Sequence, residues 1–325
     1  MLIGHQRIWD FLVRSVRQDR LAHAYLFAGP GQVGKMTLAR EWAKWQLCEQ
    51  PKGDVACGRC RQCLAIERGQ NPDLIILAPC TEEKDGVSKT SEISIKETRE
   101  LQRQLSLFPY SAKRKIAIIE EVAAMSGEAA NAILKTLEEP SGHSLIILVS
   151  ANWQVILPTI ISRCQLIKFS LVPEAEIVAG LKKIAVRENI ISEAVNLAAG
   201  KPGQAIRLAQ EPELLAEQKK STGEFIKLLQ SPLSIRWETA RVLAQDPGKA
   251  QEALGSWLLW LRDRVLEQSG RGDLIINKSS GEEPLNKYAV GTLLVVCREI
   301  QKTKNILNNS SFNARLAIEV LMTKI

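Results

Sequence analysis

The chain has 325 residues, of which 45% are hydrophobic and 24% are charged, and its formal net charge at pH 7 is +7. This length predicts two or three domains, and the composition excludes a disordered chain, a collagen and a coiled-coil rod. Its apolar runs are far shorter than the ~18 residues of a membrane span, and its first residues lack the layout of a signal peptide, so we expect a cytoplasmic protein without membrane contact.

Short apolar runs alternate with patterns of helical spacing through the first 170 residues. Because strands buried on both faces read as continuous apolar runs, this alternation indicates a parallel sheet covered by helices on both faces. The predicted strands are 24–27, 73–77, 115–119, 145–149 and 165–169, and the predicted helices among them are 36–47, 95–105 and 127–137.

Only helical patterns follow residue 173. Short helices are predicted over 174–187, 192–199 and 204–209, with a Gly-Lys-Pro-Gly interruption at 200–203. From about residue 212 longer apolar stripes at helical spacing predominate, as at Leu254, Trp257 and Leu261. The expected fold class is therefore an α/β core followed by an all-α region.

A glycine-rich segment joins the first strand to the next helix. Gly29, Gly31 and Gly34 fit the dinucleotide motif G-x-G-x-x-G, and the same segment up to Lys35 fits the phosphate loop G-x-x-x-x-G-K. The dinucleotide motif needs an acidic residue about 20 positions later at a strand end. Glu49 has that spacing but lies among cysteines. We favour the phosphate loop, because it accounts for Lys35 as a ligand of the outer phosphates.

The positions that would hold Mg²⁺ and the attacking water depart from an active loop. A hydroxyl residue should follow the lysine, but Met36 stands there and the hydroxyl is on Thr37, about 100° further around the helix. A thioether is a poor ligand for Mg²⁺. Glu120 and Glu121 end the third apolar strand like a Walker B element, or form a solvated strand end. The loop is thus a candidate site for ATP or ADP, with weak binding or none, and we expect it to be impaired for hydrolysis.

Four of the seven cysteines lie close together in the sequence, at Cys48, Cys57, Cys60 and Cys63. An odd total in a cytosolic chain argues against a disulfide framework. Four thiolates at this spacing can surround one tetrahedral Zn²⁺, and a closed set of four sulfurs is structural because it leaves no position for water. The alternative is four free cysteines on a loop.

Taken in order, these motifs resemble the delta-prime subunits of the bacterial DNA polymerase III clamp loader, which are relatives of the AAA+ ATPases. The resemblance covers about residues 3–325 and is weakest between 211 and 310. The segments that carry it are the cysteine spacing and residues 23–27, 130–140, 159–164 and 313–319.

The resemblance implies a domain order and a place in an assembly. The expected domains are an AAA+ phosphate-loop core at 1–170 with a zinc-binding insertion at 48–63, a helical lid at 171–210 and a helical collar for oligomerisation at 211–325. The implied partners are the ATPase and delta-type subunits of a hetero-pentamer and, through it, the sliding clamp and primed DNA. In DNA replication the chain is expected to be a stator within the DNA-directed DNA polymerase III holoenzyme. The chain itself is not expected to hydrolyse ATP.

Three further positions take their roles from the resemblance. Arg163 is the expected arginine finger for the ATP site of a neighbouring subunit, with a solvated arginine as the alternative. Asn152 is the expected polar sensor, and Gly203 stands where active relatives carry a sensor arginine. The competing functions are an active clamp-loader ATPase and a zinc-dependent nucleic-acid binder that would use Arg59 and Arg61.

Overall fold

The structure is a computed structural model, and the chain divides in it into two compact units. The residues that it describes are 2–84, 87–90, 92–184, 186–275, 289–307 and 312–325. The first unit comprises residues 1–80, 91–177 and 200–203, and the second comprises residues 81–90, 178–199 and 204–325.

A five-stranded parallel sheet forms the centre of the first unit. In spatial order its strands are β2 (Leu74–Leu77), β5 (Lys115–Ile119), β6 (Ser144–Ser150), β1 (Ala24–Ala28) and β7 (Gln165–Lys168). All residues of β1, β5 and β6 are buried, as the continuous apolar runs required. The five predicted strands are confirmed. The antiparallel pair β3 (Thr81–Lys84) and β4 (Val87–Thr90) was not predicted.

Helices cover both faces of this sheet. They are α1 (Gln6–Arg17), α2 (Lys35–Leu47), α3 (Arg61–Glu67), α4 (Ile95–Ser106), α5 (Gly127–Glu138) and α6 (Pro158–Ile161). Alternate residues of a strand point to opposite faces. Accordingly Tyr25 and Phe27 pack with Trp42 of α2 in one cluster, while Leu26 packs with Ile133 of α5 in another. The predicted α/β layers are confirmed.

The remaining helices form the all-α part of the chain. They are α7 (Glu174–Lys183), α8 (Glu188–Ala198), α9 (Pro202–Gln210), α10 (Pro212–Leu229), α11 (Leu233–Leu243), α12 (Pro247–Gln268), α13 (Val290–Leu307) and α14 (Ala314–Lys324). In the second unit Phe225 stacks on Trp257, with 4.5 Å between ring centroids. Among the described residues, no helix combines the length and the apolar character that crossing a bilayer requires.

One predicted helix, 174–187, was wrong at its end. Helix α7 stops at Lys183, where the Ile184 N–H donates to the Leu181 carbonyl at 3.1 Å and forms a tight turn. The next helix then begins at Glu188, before the predicted residue 192. Apolar spacing continued across this turn, so periodicity alone could not show the break.

Parallel strands bring their carboxyl ends to one edge of the sheet, where ligands of open α/β sheets usually bind. The glycine loop follows β1, Glu120 and Glu121 follow β5, and Asn152 follows β6. Since β6 lies between β5 and β1, these three segments leave the sheet from adjacent strands. The fold therefore places the predicted nucleotide residues at one edge.

Candidate functional site

The glycine loop has the backbone of a sharp strand-to-helix turn. Gly29 has φ +151° and Gly34, the residue before α2, has φ +104°, values that side chains with a Cβ rarely adopt. A Cβ on Gly29 would also lie 2.4 Å from the Phe169 carbonyl oxygen. Gly31 has neither a positive φ nor a neighbour near its missing Cβ. The turn thus requires glycine at positions 29 and 34. At Gly31 there is open space around the position that a Cβ would take.

Lys35 is buried and turned toward its own loop. Its Nζ donates to the carbonyl oxygens of Gly29 at 2.7 Å and Pro30 at 2.6 Å. Burial lowers the pKa of Lys35 to about 8, and the charge of Glu121 partly opposes this shift. The ammonium group is therefore held at the carbonyl oxygens of its own loop.

The two residues after Lys35 show why the loop is unusual. Met36 is partly buried and packs against the hydrophobic cluster beneath the sheet. Thr37 is also partly buried, one position further along α2. The position that is expected to offer a hydroxyl to Mg²⁺ is thus used for packing. The impairment of hydrolysis stays a prediction.

Two contacts from distant segments hold the outer side of the loop. His5 Nε2 lies 2.9 Å from the Val33 carbonyl oxygen, and the Gly203 N–H donates to the Gln32 carbonyl at 2.8 Å. A Cβ on Gly203 would lie 2.9 Å from that same Gln32 oxygen. Gly203, which the sequence predicts at the position of a sensor arginine, therefore has a packing reason of its own. No sequence signal pointed to His5.

The acidic residues after β5 take different positions. The Glu120 N–H donates to the Leu77 carbonyl at 2.8 Å and continues the sheet. The Glu121 backbone is left-handed, with φ +51°. Its carboxylate accepts hydrogen bonds from Ser150 Oγ at 2.8 Å and from the Ala151 N–H at 3.0 Å. Glu121 thus links the ends of β5 and β6, a structural task that sequence reasoning missed.

Asn152 caps a short turn just after β6. Its Oδ1 accepts from the Gln154 N–H at 3.3 Å, and its own N–H donates to Ser150 Oγ at 3.1 Å. The side-chain oxygen is therefore engaged locally, at the edge where the predicted sensor would stand. The sensor role of Asn152 stays a prediction.

The four clustered cysteines converge, as their spacing predicted. Their Sγ atoms all lie within 4.8 Å of one another, with 3.9 Å between Cys48 and Cys60 and 4.0 Å between Cys57 and Cys63. Four sulfurs bound tetrahedrally at the usual Zn–S length of about 2.3 Å would be separated by about 3.8 Å. The donor set thus fits a zinc-sized ion with little movement.

Local backbone structure sets these sulfurs in place. Cys48 ends α2 and Cys60 caps the start of α3, with its sulfur accepting from the Cys63 N–H at 3.4 Å. The Arg59 and Cys60 amides hydrogen-bond the Cys57 sulfur and lower its pKa to about 6, whereas burial raises the pKa of Cys48 and Cys63. Such N–H donors favour thiolates, the form that binds metal.

Arg163 lies just after α6 and makes two polar contacts within the chain. Its Nη1 donates to the Thr159 carbonyl at 2.9 Å, and its Nη2 forms an ion pair with Glu138 Oε1 at 2.6 Å. The Arg163 side chain remains 34% exposed. The sequence did not indicate this pairing, which is a finding of the structure.

Comparisons with known proteins agree with these features. The family described as DNA polymerase III, delta subunit, matches residues 4–173. The delta-prime subunit of DNA polymerase III from Pseudomonas aeruginosa is 34% identical over 67% of this chain and 66% of its own length. The Bacillus subtilis delta-prime subunit is 38% identical over 52% of this chain and 49% of its own length. The chain thus spans two thirds or less of these relatives.

Other relatives carry different names within the same polymerase. The tau/gamma subunit of Haemophilus influenzae DNA polymerase III is 35% identical over 58% of this chain and 26% of its own length. Among solved structures, a DNA polymerase III gamma subunit-related protein of Thermotoga maritima is 17% identical over 97% of both chains, with a TM-score of 0.45.

Proposed function

The chain belongs to the DNA polymerase III delta subunit family, and we propose that it is a delta-prime-like stator of the clamp loader. In this role it helps to load the sliding clamp onto primed DNA without hydrolysing ATP itself. The observation that carries the proposal is the nucleotide loop, in which Met36, at the position expected to offer a hydroxyl to Mg²⁺, packs against the hydrophobic core. A loop that keeps its cradle but lacks the Mg²⁺ hydroxyl suits an assembly role.

The cysteine cluster has a structural task in this proposal. Cys48, Cys57, Cys60 and Cys63 would hold one Zn²⁺, which would cross-link the end of α2 to the start of α3. An ion bound by four sulfurs keeps no open position for a substrate or water. Its chemistry is therefore to stabilise the insertion at 48–63.

The helical region at 211–325 would be the collar that joins neighbouring subunits. In support, α11 and α14 expose large apolar side chains, with 41% exposure at Leu233, 49% at Trp237, 60% at Leu316 and 46% at Val320. Exposed apolar side chains of this number are typical of surfaces that bind other proteins. The occupants we propose are the ATPase and delta-type subunits of a hetero-pentamer.

Arg163 would act outside its own chain, as an arginine finger for the ATP site of a neighbouring subunit. The partial exposure of its side chain supports this role, because a finger must reach across an interface to a γ-phosphate. Asn152, Glu120, Glu121 and Thr37 would then belong to a vestigial nucleotide site that binds ATP or ADP weakly or not at all.

A catalytically active clamp-loader ATPase is the second candidate. It is favoured by the required glycines Gly29 and Gly34, by Lys35, and by the tau and gamma subunits among the relatives. In that case Thr37 would take over the Mg²⁺ contact. Met36 and Gly203 count against it, since neither supplies a group that active relatives are expected to use.

Reconstitution distinguishes these candidates. The purified chain is mixed with the other clamp-loader subunits, separated by size-exclusion chromatography, and assayed for ATPase activity alone and in the complex. We expect a stable mixed assembly, with turnover in the complex and none above background in the isolated chain. Turnover by the isolated chain that Lys35→Ala abolishes would reject the stator role. Failure to join the assembly would reject clamp-loader membership.

A further inference from the structure

The Glu138 carboxylate holds the guanidinium of Arg163 in one orientation. The Arg163 contacts to Glu138 and to the Thr159 carbonyl use one terminal nitrogen each. A guanidinium has five N–H donors in a planar fork. The two contacts therefore fix the plane of the fork while leaving other N–H groups to a ligand outside the chain.

The elements that carry this pair are themselves fixed. Glu138 is the last residue of α5, whose Ala129, Ile133 and Leu137 are buried in the cluster that α5 forms with the sheet. Arg163 follows α6, where Ile160 is 1% exposed, and the Arg163 N–H donates to the Ile160 carbonyl at 3.2 Å. Helices α5 and α6 pack against each other. Both side chains thus start from rigid supports, and the ion pair needs no backbone movement to form.

We propose that Glu138 is a positioning residue for Arg163, which sets the guanidinium in the orientation that it uses toward the ATP site of a neighbouring subunit. This inference rests on the proposed finger role of Arg163. Glu138 itself touches no substrate in this scheme. A half-exposed ion pair contributes little to stability, so its value would lie in preorganisation, where a displacement of about 1 Å costs up to ~10²-fold in rate.

The alternative is that Glu138 competes with the phosphate for Arg163 and so restrains the finger. The two mechanisms predict opposite signs. Loss of a positioning carboxylate lowers turnover, whereas loss of a competing carboxylate raises it. Because a finger stabilises charge that develops in the transition state, positioning also predicts a change in kcat with KM for ATP nearly unchanged.

The experiment uses the reconstituted clamp loader with this chain as wild type, Arg163→Ala, Glu138→Ala or the double variant. Arg163→Ala is expected to lower turnover at the affected site by up to ~10³-fold, and Glu138→Ala by about tenfold. The double variant should be no slower than Arg163→Ala alone, because Glu138 acts only through the arginine. The loss of ATP turnover measured for the whole complex is smaller if its other sites turn over independently. The variants are therefore compared with one another and with the wild type in the same complex.

Conservative variants and a matched control complete the design. Glu138→Gln keeps a neutral hydrogen bond and should lose less than Glu138→Ala, since charge-assisted bonds are roughly twice as strong. Glu139→Gln, on the adjacent exposed carboxylate, should leave turnover unchanged. Thermal unfolding, zinc content and assembly of every variant are measured beside turnover, and a purely structural role would change them.

The outcomes separate the inference from its premise. If Arg163→Ala slows turnover while Glu138→Ala leaves it unchanged or raises it, Glu138 is not a positioning residue and the finger role survives. An additive double variant would likewise reject positioning. If Arg163→Ala has no effect on an assembled complex, the finger role and this inference both fail.

Discussion

The cysteine cluster and the nucleotide loop begin as equally clear sequence motifs, yet the fold leaves them in different states. In the cluster, four sulfurs converge within 4.8 Å and point to a common centre. In the loop, the groups that would meet a nucleotide are engaged elsewhere in the chain. Lys35 bonds to loop carbonyls, Glu121 links two strands, and the Asn152 side chain caps a turn.

This difference shows that a sequence motif identifies the side chains that a site could use but does not predict which groups they contact in the folded chain. The cysteines have weak hydrogen-bonding alternatives, so a soft cation remains their best partner. Lysine and carboxylate side chains bond readily to backbone groups, as Lys35 and Glu121 do in this loop and at the adjacent strand end.

Loss of one cluster cysteine should abolish zinc binding. Cys60→Ser is expected to reduce the metal content from about one Zn²⁺ per chain to none, because three sulfurs no longer close the tetrahedron. Elemental analysis of protein purified without chelator measures this. Cys80→Ser, outside the cluster, is the matched control and should keep its zinc. Absence of zinc in the wild-type protein would contradict the proposal, as would full retention in Cys60→Ser.

A side chain at Gly203 should destabilise the first unit. In Gly203→Ala the new Cβ would lie 2.9 Å from the Gln32 carbonyl oxygen, so the loop must shift, at a cost of about 1–3 kcal/mol. Chemical denaturation gives the free energy of unfolding. Gly223→Ala, within α10 and with open space around it, should instead stabilise by about 0.5–1 kcal/mol. Equal effects of the two changes would show that the loop contact is unimportant.

Burial of Lys35 should cost stability. Burial lowers the pKa of Lys35 in the folded chain to about 8, whereas the usual lysine pKa of 10.5 applies in the unfolded chain. As the pH rises, the folded chain therefore loses the Lys35 proton at a lower pH than the unfolded chain does. Lys35→Met should therefore stabilise by about 1–2 kcal/mol at pH 7. The difference in stability between Lys35→Met and the wild-type protein should narrow as the pH rises from 8 to 10.5. In this range the unfolded wild-type chain binds more protons than the folded chain, so wild-type stability increases with pH.

The control for this prediction is Lys44→Met on the same helix. The hydrogen bond that the Lys44 ammonium donates to the Glu67 carboxylate raises the pKa of Lys44, so that change should not stabilise the protein. Denaturation at pH 7 and at pH 9.5 measures both variants. A Lys35→Met variant that is less stable than wild type at pH 7 would indicate that the two carbonyl contacts outweigh the cost of burial.

Glu121 should couple energetically to Ser150. Their 2.8 Å hydrogen bond joins β5 to β6, and a double-mutant cycle with Glu121→Ala and Ser150→Ala should give a coupling of about 0.5–2 kcal/mol. The matching cycle with Glu120→Ala should give a coupling near zero. A coupling energy of zero between Glu121 and Ser150 would contradict the structural role of Glu121 in joining β5 to β6.

Much of the first unit could be predicted because its signals are local. The apolar runs of β1, β5 and β6 fill fully buried strands. Ser126 caps the start of α5, where its Oγ accepts a hydrogen bond from the Ala129 N–H. The cysteine cluster was predictable for the same reason, since its four ligands lie within one short segment. The domain boundaries and the lid remain predictions.

The pairing of distant polar groups required the tertiary structure. Asp73 reads in the sequence as the first residue of a strand. In the structure it is fully buried and accepts hydrogen bonds from the Tyr110, Ser111 and Ala112 amides. Although burial alone would raise its pKa, these bonds lower the pKa of Asp73 below its usual range. Nothing in its own segment indicated that partner loop.

The sequence by itself thus determined the layers of the fold, the glycine turn and the grouping of four cysteines, because periodicity, backbone freedom and short spacing are properties of neighbouring residues. Only the tertiary structure decided that Glu138 holds Arg163, that Glu121 joins two strands and that Gly203 must lack a side chain. Each of these depends on two segments far apart in the chain, and a hydrogen bond forms only where packing brings donor and acceptor to about 3 Å.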